Sequence, residues 1–281
     1  MLRRDFIQHA AVLSAAALTE QPVWRKKRWK IGACDWSLGK QANLEAFDIA
    51  QAIGLDGVQV SYNSQADENW LQRPETIQAI QAAVRRTGVQ VASLAIGELN
   101  RTPLKKEAKT VDWIKNAVLA AEKLQVKVVL LAFFSDGDLR NDPDGQERVI
   151  ERLRLVAPLA EQKNITLGLE SYLSGPDHLR IIRAVGSPAI QVYYDFRNSA
   201  DAGYDVLSEL PDLRKYICEI HMKENGFLLG QGTLDWTAIA QKVQRNGYKG
   251  WMQIEGAKPS GQDIVSAYQH NLAYLKTVFQ M

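Results

Sequence analysis

Cysteine is nearly missing from this 281-residue chain: Cys34 and Cys218 are the two, and no Cys-x-x-Cys pair occurs. That excludes a disulfide scaffold and a thiolate metal knuckle, and both cysteines fall in apolar, strand-like runs that suit buried free thiols. Histidine is almost as sparse, with His9, His178, His221 and His270, which caps the size of any imidazole-rich metal site. An excess of one charge is absent too, since 34 Lys plus Arg face 32 Asp plus Glu for a net charge of +2. The balance argues against a nucleic-acid partner, which calls for a basic face; the local cluster Arg25, Lys26, Lys27, Arg28 and Lys30 reads as a solvated linker. No Gly-x-Gly-x-x-Gly or P-loop pattern follows any strand candidate, so neither a dinucleotide nor a nucleoside triphosphate site is indicated. Gly230-Gln231-Gly232 lacks the rest of such a fingerprint.

The N-terminal apolar stretch, residues 10–18, is shorter than the roughly 20 residues that cross a bilayer, so no stable membrane anchor is expected. With Arg3-Arg4 ahead of Phe6 and a small-residue run at Ala15-Ala16-Ala17, residues 1–20 read as a twin-arginine-type export signal. Leu2 and Gln8 depart from the usual pattern of that signal. The expectation is a periplasmic or secreted protein, with a cytoplasmic one as the alternative, residues 21–29 as a linker and 30–281 as the catalytic domain.

From residue 30 onward, short apolar or β-branched runs alternate with longer runs of helical periodicity. Strand candidates are 30–36, 57–61, 90–95, 127–132, 166–170, 189–195, 217–222 and 250–255. Helix candidates are 43–53, 74–87, 109–124, 146–163, 177–185, 205–215, 235–246 and 262–278. Pro74 marks a helix start, Gly54 and Gly88 sit where C-caps belong, and Asp235 stands as an N-cap before Trp236. Eight alternations without a long linker predict a single (β/α)8 TIM barrel rather than an open α/β sheet.

Active sites of such barrels sit at the C-terminal strand ends. The fifth to eighth strand candidates end in Glu170, Asp195, His221 and Glu255, which should meet on one rim. Three carboxylates and one imidazole suit one divalent ion, Mn²⁺, Mg²⁺, Co²⁺ or Zn²⁺, with Mn²⁺ favoured although the residues alone do not choose.

At these residues the chain resembles the xylose isomerase-like sugar phosphate isomerase/epimerase superfamily. The resemblance runs over roughly residues 30–278. Its more specific stretches are Tyr194-Asp195-Phe196-Arg197-Asn198, His221-Met222-Lys223-Glu224-Asn225 and Gly230-Gln231-Gly232-Thr233-Leu234-Asp235-Trp236, ahead of Ile254-Glu255. It implies one ion held by Glu170, Asp195, His221 and Glu255, with Glu170 and Glu255 also serving as catalytic bases. The chain departs from some epimerases of the family at Asn198, where they carry a histidine, and at Phe227, where they carry an arginine.

A metal that polarises a carbonyl stabilises the enediolate left by deprotonating the neighbouring carbon. Return of the proton to the opposite face gives epimerisation, return to the adjacent carbon gives isomerisation, and loss of a β-substituent gives a lyase or dehydratase; the ligands leave these open. Substrate-binding candidates are Lys223, Asn198, Trp36 and Glu98, with Arg101 behind them. The partner is a small carbohydrate, and export favours an unphosphorylated one. An endonuclease-like hydrolase would need more histidines, a glycosidase would keep one acid free of metal, and a non-catalytic sugar-binding barrel would have lost a ligand. Trp70 and Trp113 look exposed, and the oligomeric state is open.

Overall fold

The computed structural model describes residues 29–63 and 69–281. The export-signal stretch and most of the linker lie outside the described residues. Eight strands follow one another around a closed, all-parallel barrel: β1 (Lys30–Cys34), β2 (Gly57–Ser61), β3 (Gln90–Ile96), β4 (Val128–Phe133), β5 (Thr166–Ser171), β6 (Ile190–Asp195), β7 (Ile217–Lys223) and β8 (Trp251–Glu255). β1 pairs with β8 to close it. The helices are α1 (Glu45–Ile53), α2 (Pro74–Thr87), α3 (Thr110–Leu124), α4 (Pro143–Lys163), α5 (Gly175–Val185), α6 (Phe196–Asp201), α7 (Val206–Leu213), α8 (Trp236–Arg245) and α9 (Ile264–Val278). Among the described residues no helix is long and apolar enough to cross a membrane.

The helix boundaries follow local chemistry. Gly54 and Gly88 end α1 and α2 in the left-handed conformation (φ 88° and 74°), and the Asp235 carboxylate accepts the Ala238 N–H at the start of α8. In α3 the buried positions Val111, Ile114, Val118 and Ala121 recur at helical spacing, so one stripe faces the sheet. Three differences from the sequence expectation stand out. The first strand ends at Cys34 rather than residue 36, because Ser37 N and Leu38 N both turn back to the Cys34 carbonyl. α6 escapes notice because six residues carry no measurable period. Trp113 is buried at 7% exposure and Trp70 half-buried, so neither is the exposed aromatic its neighbours suggested. Trp29 stacks on Tyr248 and meets Phe279 edge-on.

Most of the apolar core lies between sheet and helices, with a second, smaller cluster of Ala95, Val128, Leu130, Ala132 and Tyr193. Beside that cluster stands a set of buried polar residues, Cys34, Gln59, Ser93, Glu219 and Gln253, each at most 1% exposed. Gly32 gives this set room: a Cβ there would run into Gln253 Oε1 and sit 2.8 Å from the Gly57 carbonyl. Burial pushes the Glu219 carboxyl up to about 8, although the nearby Ser93, Tyr193 and His221 pull it down, so it is largely neutral at pH 7.

The end of β5 is clasped to α5 by His178. Its Nδ1–H donates to the Ser174 carbonyl (3.1 Å), and its Nε2 lies 2.9 Å from Ser171 Oγ. Burial holds its pKa below the ordinary value of about 6.5. Below that pH the unfolded chain binds the proton more readily, so stability falls as pH drops from about 6.5 toward the depressed folded value. We expect His178→Asn to flatten the decline of the urea midpoint between pH 7 and 5 relative to the parent protein; equal declines would remove His178 as its source.

Candidate metal centre and sugar site

Strand register assembles the site before any loop contributes. Asp195 at the end of β6 pairs with His221 of β7, and Lys223 of β7 pairs with Glu255 of β8. Glu170 comes from β5, opposite Ala132 of β4. All four sequence-derived ligands therefore reach one rim, and one ligand atom from each lies within 4.8 Å of every other. His221 Nδ1 stands 2.7 Å from Glu170 Oε1, 3.5 Å from Glu255 Oε2 and 3.9 Å from Asp195 Oδ2.

In Asp195 and Glu255 the two carboxylate oxygens have separate employment. Asp195 Oδ1 accepts the Asn198 N–H (2.8 Å) and so caps α6, whereas Asp195 Oδ2 is buried and accepts no hydrogen bond among the described residues. Glu255 Oε1 accepts from Trp36 Nε1 (3.0 Å), and Glu255 Oε2 faces the Lys223 ammonium at 3.0 Å. A buried carboxylate oxygen without a donor is costly unless a cation answers it. That cost, and a donor set of hard oxygens with one imidazole nitrogen, fit a divalent ion.

The electrostatics follow from the crowding. Burial raises Asp195, the neighbouring Glu255 and Glu170 raise it further, and Lys223 only partly opposes them. Burial acts on Glu255 in the same sense, yet the charges of His221 and Lys223 and the Trp36 hydrogen bond hold it well below the usual carboxylate range. Desolvation would lower His221, but Glu170 and its other anionic neighbours keep it well above the ordinary histidine value. Glu255 is thus charged at neutral pH.

Above this floor opens a cavity of about 580 Å³ that takes in Glu170, Glu255, Lys223, Asn198, Trp36 and Glu98, every substrate-facing candidate from the sequence. Asn198 is buried; its Nδ2 lies 3.4 Å from Glu170 Oε1 and its Oδ1 3.4 Å from Lys223 Nζ. Glu98 sits after β3, held by the Gln41 amide (3.4 Å) and by Asn63, whose amide donates to Glu98 Oε1 at 3.2 Å. Lys223 Nζ lies 3.0 Å from Glu255 Oε2. Arg101 lines the rim.

Sequence reasoning missed an aromatic wall and a residue beneath the site. Phe134 and Tyr172 meet edge-on at 4.8 Å, and with Trp113 they line the cavity opposite Trp36; they come from separate loops and a helix, which no local pattern joins. Gln59 of β2 lies under His221 at 2.8 Å from Nε2. Its signal was a polar residue between two valines in a strand, an alternation that aims Gln59 opposite to Val58 and Val60.

A parallel eight-stranded barrel with a cluster of carboxylates and a histidine at its C-terminal mouth defines a class, and the sequence falls within it. The pattern of the xylose isomerase-like TIM barrel family matches residues 47–278, and the chain belongs to that family. Its curated relatives include the L-ribulose-5-phosphate 3-epimerase UlaE of Salmonella typhi, 25% identical over 233 residues that cover 75% of this chain and 81% of the relative. Among solved structures, the fold matches the 3-keto-D-glucoside 4-epimerase YcjR of E. coli at a TM-score of 0.73, with 20% identity over 89% of this chain and 100% of the other. It also matches the D-psicose 3-epimerase of Clostridium cellulolyticum H10, at 0.76, with 15% identity over 89% of this chain and 99% of the other.

Proposed function

We propose that this protein is a divalent-metal-dependent sugar epimerase or isomerase that moves a proton at the carbon beside a substrate carbonyl. The observation that carries the reading is the meeting of Glu170, Asp195, His221 and Glu255 on the cavity floor, with a buried Asp195 oxygen that lacks a donor. A divalent ion, Mn²⁺ first among the candidates, would be held by these four side chains and would supply the Lewis acidity that lowers the cost of negative charge on the carbonyl oxygen.

The remaining work falls to the chain itself. Glu170 and Glu255 come from β5 and β8, three strands apart, and both open onto the cavity, so a sugar between them offers one face to each. Glu255, kept ionised by Lys223 and Trp36, takes the proton on its side, and Glu170 returns one on the other. Lys223 and Asn198 hold the neighbouring oxygens. The aromatic wall covers apolar ring edges and excludes water.

The substrate we assign is an unphosphorylated keto-sugar or related carbohydrate. Among the described cavity residues the cations are Arg101 and Lys223, against the anions Glu98, Glu170 and Glu255. Such a lining disfavours a phosphate dianion, which calls for a cluster of free donors. The Arg3-Arg4 segment supports the same choice, since an exported enzyme meets few phosphorylated metabolites.

The test is a panel of keto-sugars in D₂O with chelator-treated protein, then with Mn²⁺, Mg²⁺, Co²⁺ or Zn²⁺ restored. The expected result is ion-dependent uptake of deuterium at the carbon next to the carbonyl together with appearance of the epimer. Exchange undiminished by chelation would overturn the metal reading, and loss of water from the substrate would reassign the chemistry to a lyase.

A further inference from the structure

We infer that Gln59 is a positioning residue that makes His221 a ligand through Nδ1, by fixing the proton on the far side of the ring. The inference rests on the metal reading above and extends it to a residue that touches neither ion nor substrate.

Gln59 is fully buried, and both ends of its amide are spoken for. Its Nε2 donates to the Tyr193 hydroxyl at 3.0 Å, which leaves Oε1 to face His221 Nε2 at 2.8 Å. The Cys34 thiol donates to the same oxygen at 3.1 Å. A carbonyl oxygen only accepts, so His221 Nε2 must carry the hydrogen. In the neutral ring the lone pair then lies on Nδ1, the atom that faces the three carboxylates. The opposite tautomer would aim an N–H into the ligand cluster and block it.

In this orientation the amide answers all its neighbours, its NH₂ meeting the Tyr193 oxygen and its Oε1 meeting the Cys34 S–H and the His221 N–H, and the amide selects the tautomer. Tyr193 also braces the imidazole, its ring centroid lying 4.5 Å from that of His221. The backbone shows a matching feature, since the β2–β3 register shifts between Val58 and Gln59, the kind of irregularity that re-aims a side chain. Partners that orient a ligating histidine from behind typically matter roughly 10–100-fold in metal affinity.

The experiment compares the parent protein with Gln59→Leu, Gln59→Glu and Tyr193→Phe. Mn²⁺ affinity is measured by calorimetry, metal-free melting is followed in parallel, and ¹⁵N-histidine protein loaded with ¹¹³Cd²⁺ shows which nitrogen couples to the ion. We expect coupling at Nδ1 with a protonated Nε2 in the parent protein. Gln59→Leu should weaken Mn²⁺ binding roughly 10–100-fold, Gln59→Glu should restore it by keeping an acceptor for Nε2–H, and Tyr193→Phe should show a smaller loss in the same direction. If Gln59→Leu does not fold, the other two variants and the coupling decide. The inference is overturned by coupling at Nε2, by Gln59→Leu or Tyr193→Phe binding Mn²⁺ as tightly as the parent, or by Gln59→Glu binding it far more weakly. Failure of the parent protein itself to bind an ion would instead sink the metal reading.

Discussion

Glu255→Gln is expected to lower turnover by about 10²–10⁴-fold, the range associated with a positioned acid or base, while leaving the barrel folded. The substitution keeps shape and retains an oxygen for Trp36 Nε1. It removes the charge that faces Lys223 at 3.0 Å and, in that orientation, turns an amide NH₂ toward the ammonium, donor against donor. Glu170→Gln should cut turnover comparably, yet the two variants should differ in a way that identifies them as a pair. With one base on each face, each variant loses deuterium exchange from one epimer and keeps measurable exchange from the other, in mirror-image fashion. Metal-loaded protein and separate NMR time courses on the two epimers in D₂O provide the check. If one variant loses exchange from both epimers while the other keeps it from both, a single base serves both steps, and the assignment of roles on the two faces is wrong.

The cluster of Glu170, Asp195, His221 and Glu255 could be read from sequence because strand ends are local: an apolar run that stops at one of them places its last polar residue on a rim whose geometry the barrel dictates. The same logic recovered all eight strands within a residue or two. It failed where the determinant is spread across the chain. Trp113 looked exposed because periodicity gives the stripe of a helix without saying how far the end of that stripe overhangs the mouth; in the structure it lines the cavity with Phe134 and Tyr172. α6 was invisible because six residues carry no measurable period, and its cap, Asp195, also presents its second oxygen to the cluster. Gln59 lies 162 positions before the histidine it contacts, so its function exists only once β2 and β7 face each other across the barrel.

Lys223→Met is expected to separate catalysis from metal binding, with opposite signs. The Lys223 ammonium lies 3.0 Å from Glu255 Oε2 and 3.9 Å from Asp195 Oδ2. At such distances a unit charge pair interacts by roughly 4 kcal/mol at an effective dielectric near 20, a gross figure reduced here by the lysine's own desolvation and by its 23% exposure. The ammonium therefore does part of the work of a cation, offsetting crowded carboxylates, and it also competes with an ion for them. Without it the metal-free protein should melt earlier, because Asp195 and Glu255 repel each other and Glu170 with less relief. Mn²⁺ should bind about tenfold more tightly, which corresponds to about 1.4 kcal/mol, so the rise in melting temperature on adding Mn²⁺ should exceed that of the parent protein. Turnover should nonetheless fall about 100-fold or more, because the substrate oxygens lose the donor that steadies developing negative charge. Calorimetric titration with Mn²⁺ and melting curves with and without the ion read these signs independently of any substrate. Weaker Mn²⁺ binding in Lys223→Met would mean that the lysine's main effect is to hold Glu255 in place, with relief of repulsion secondary, and its role would then be structural.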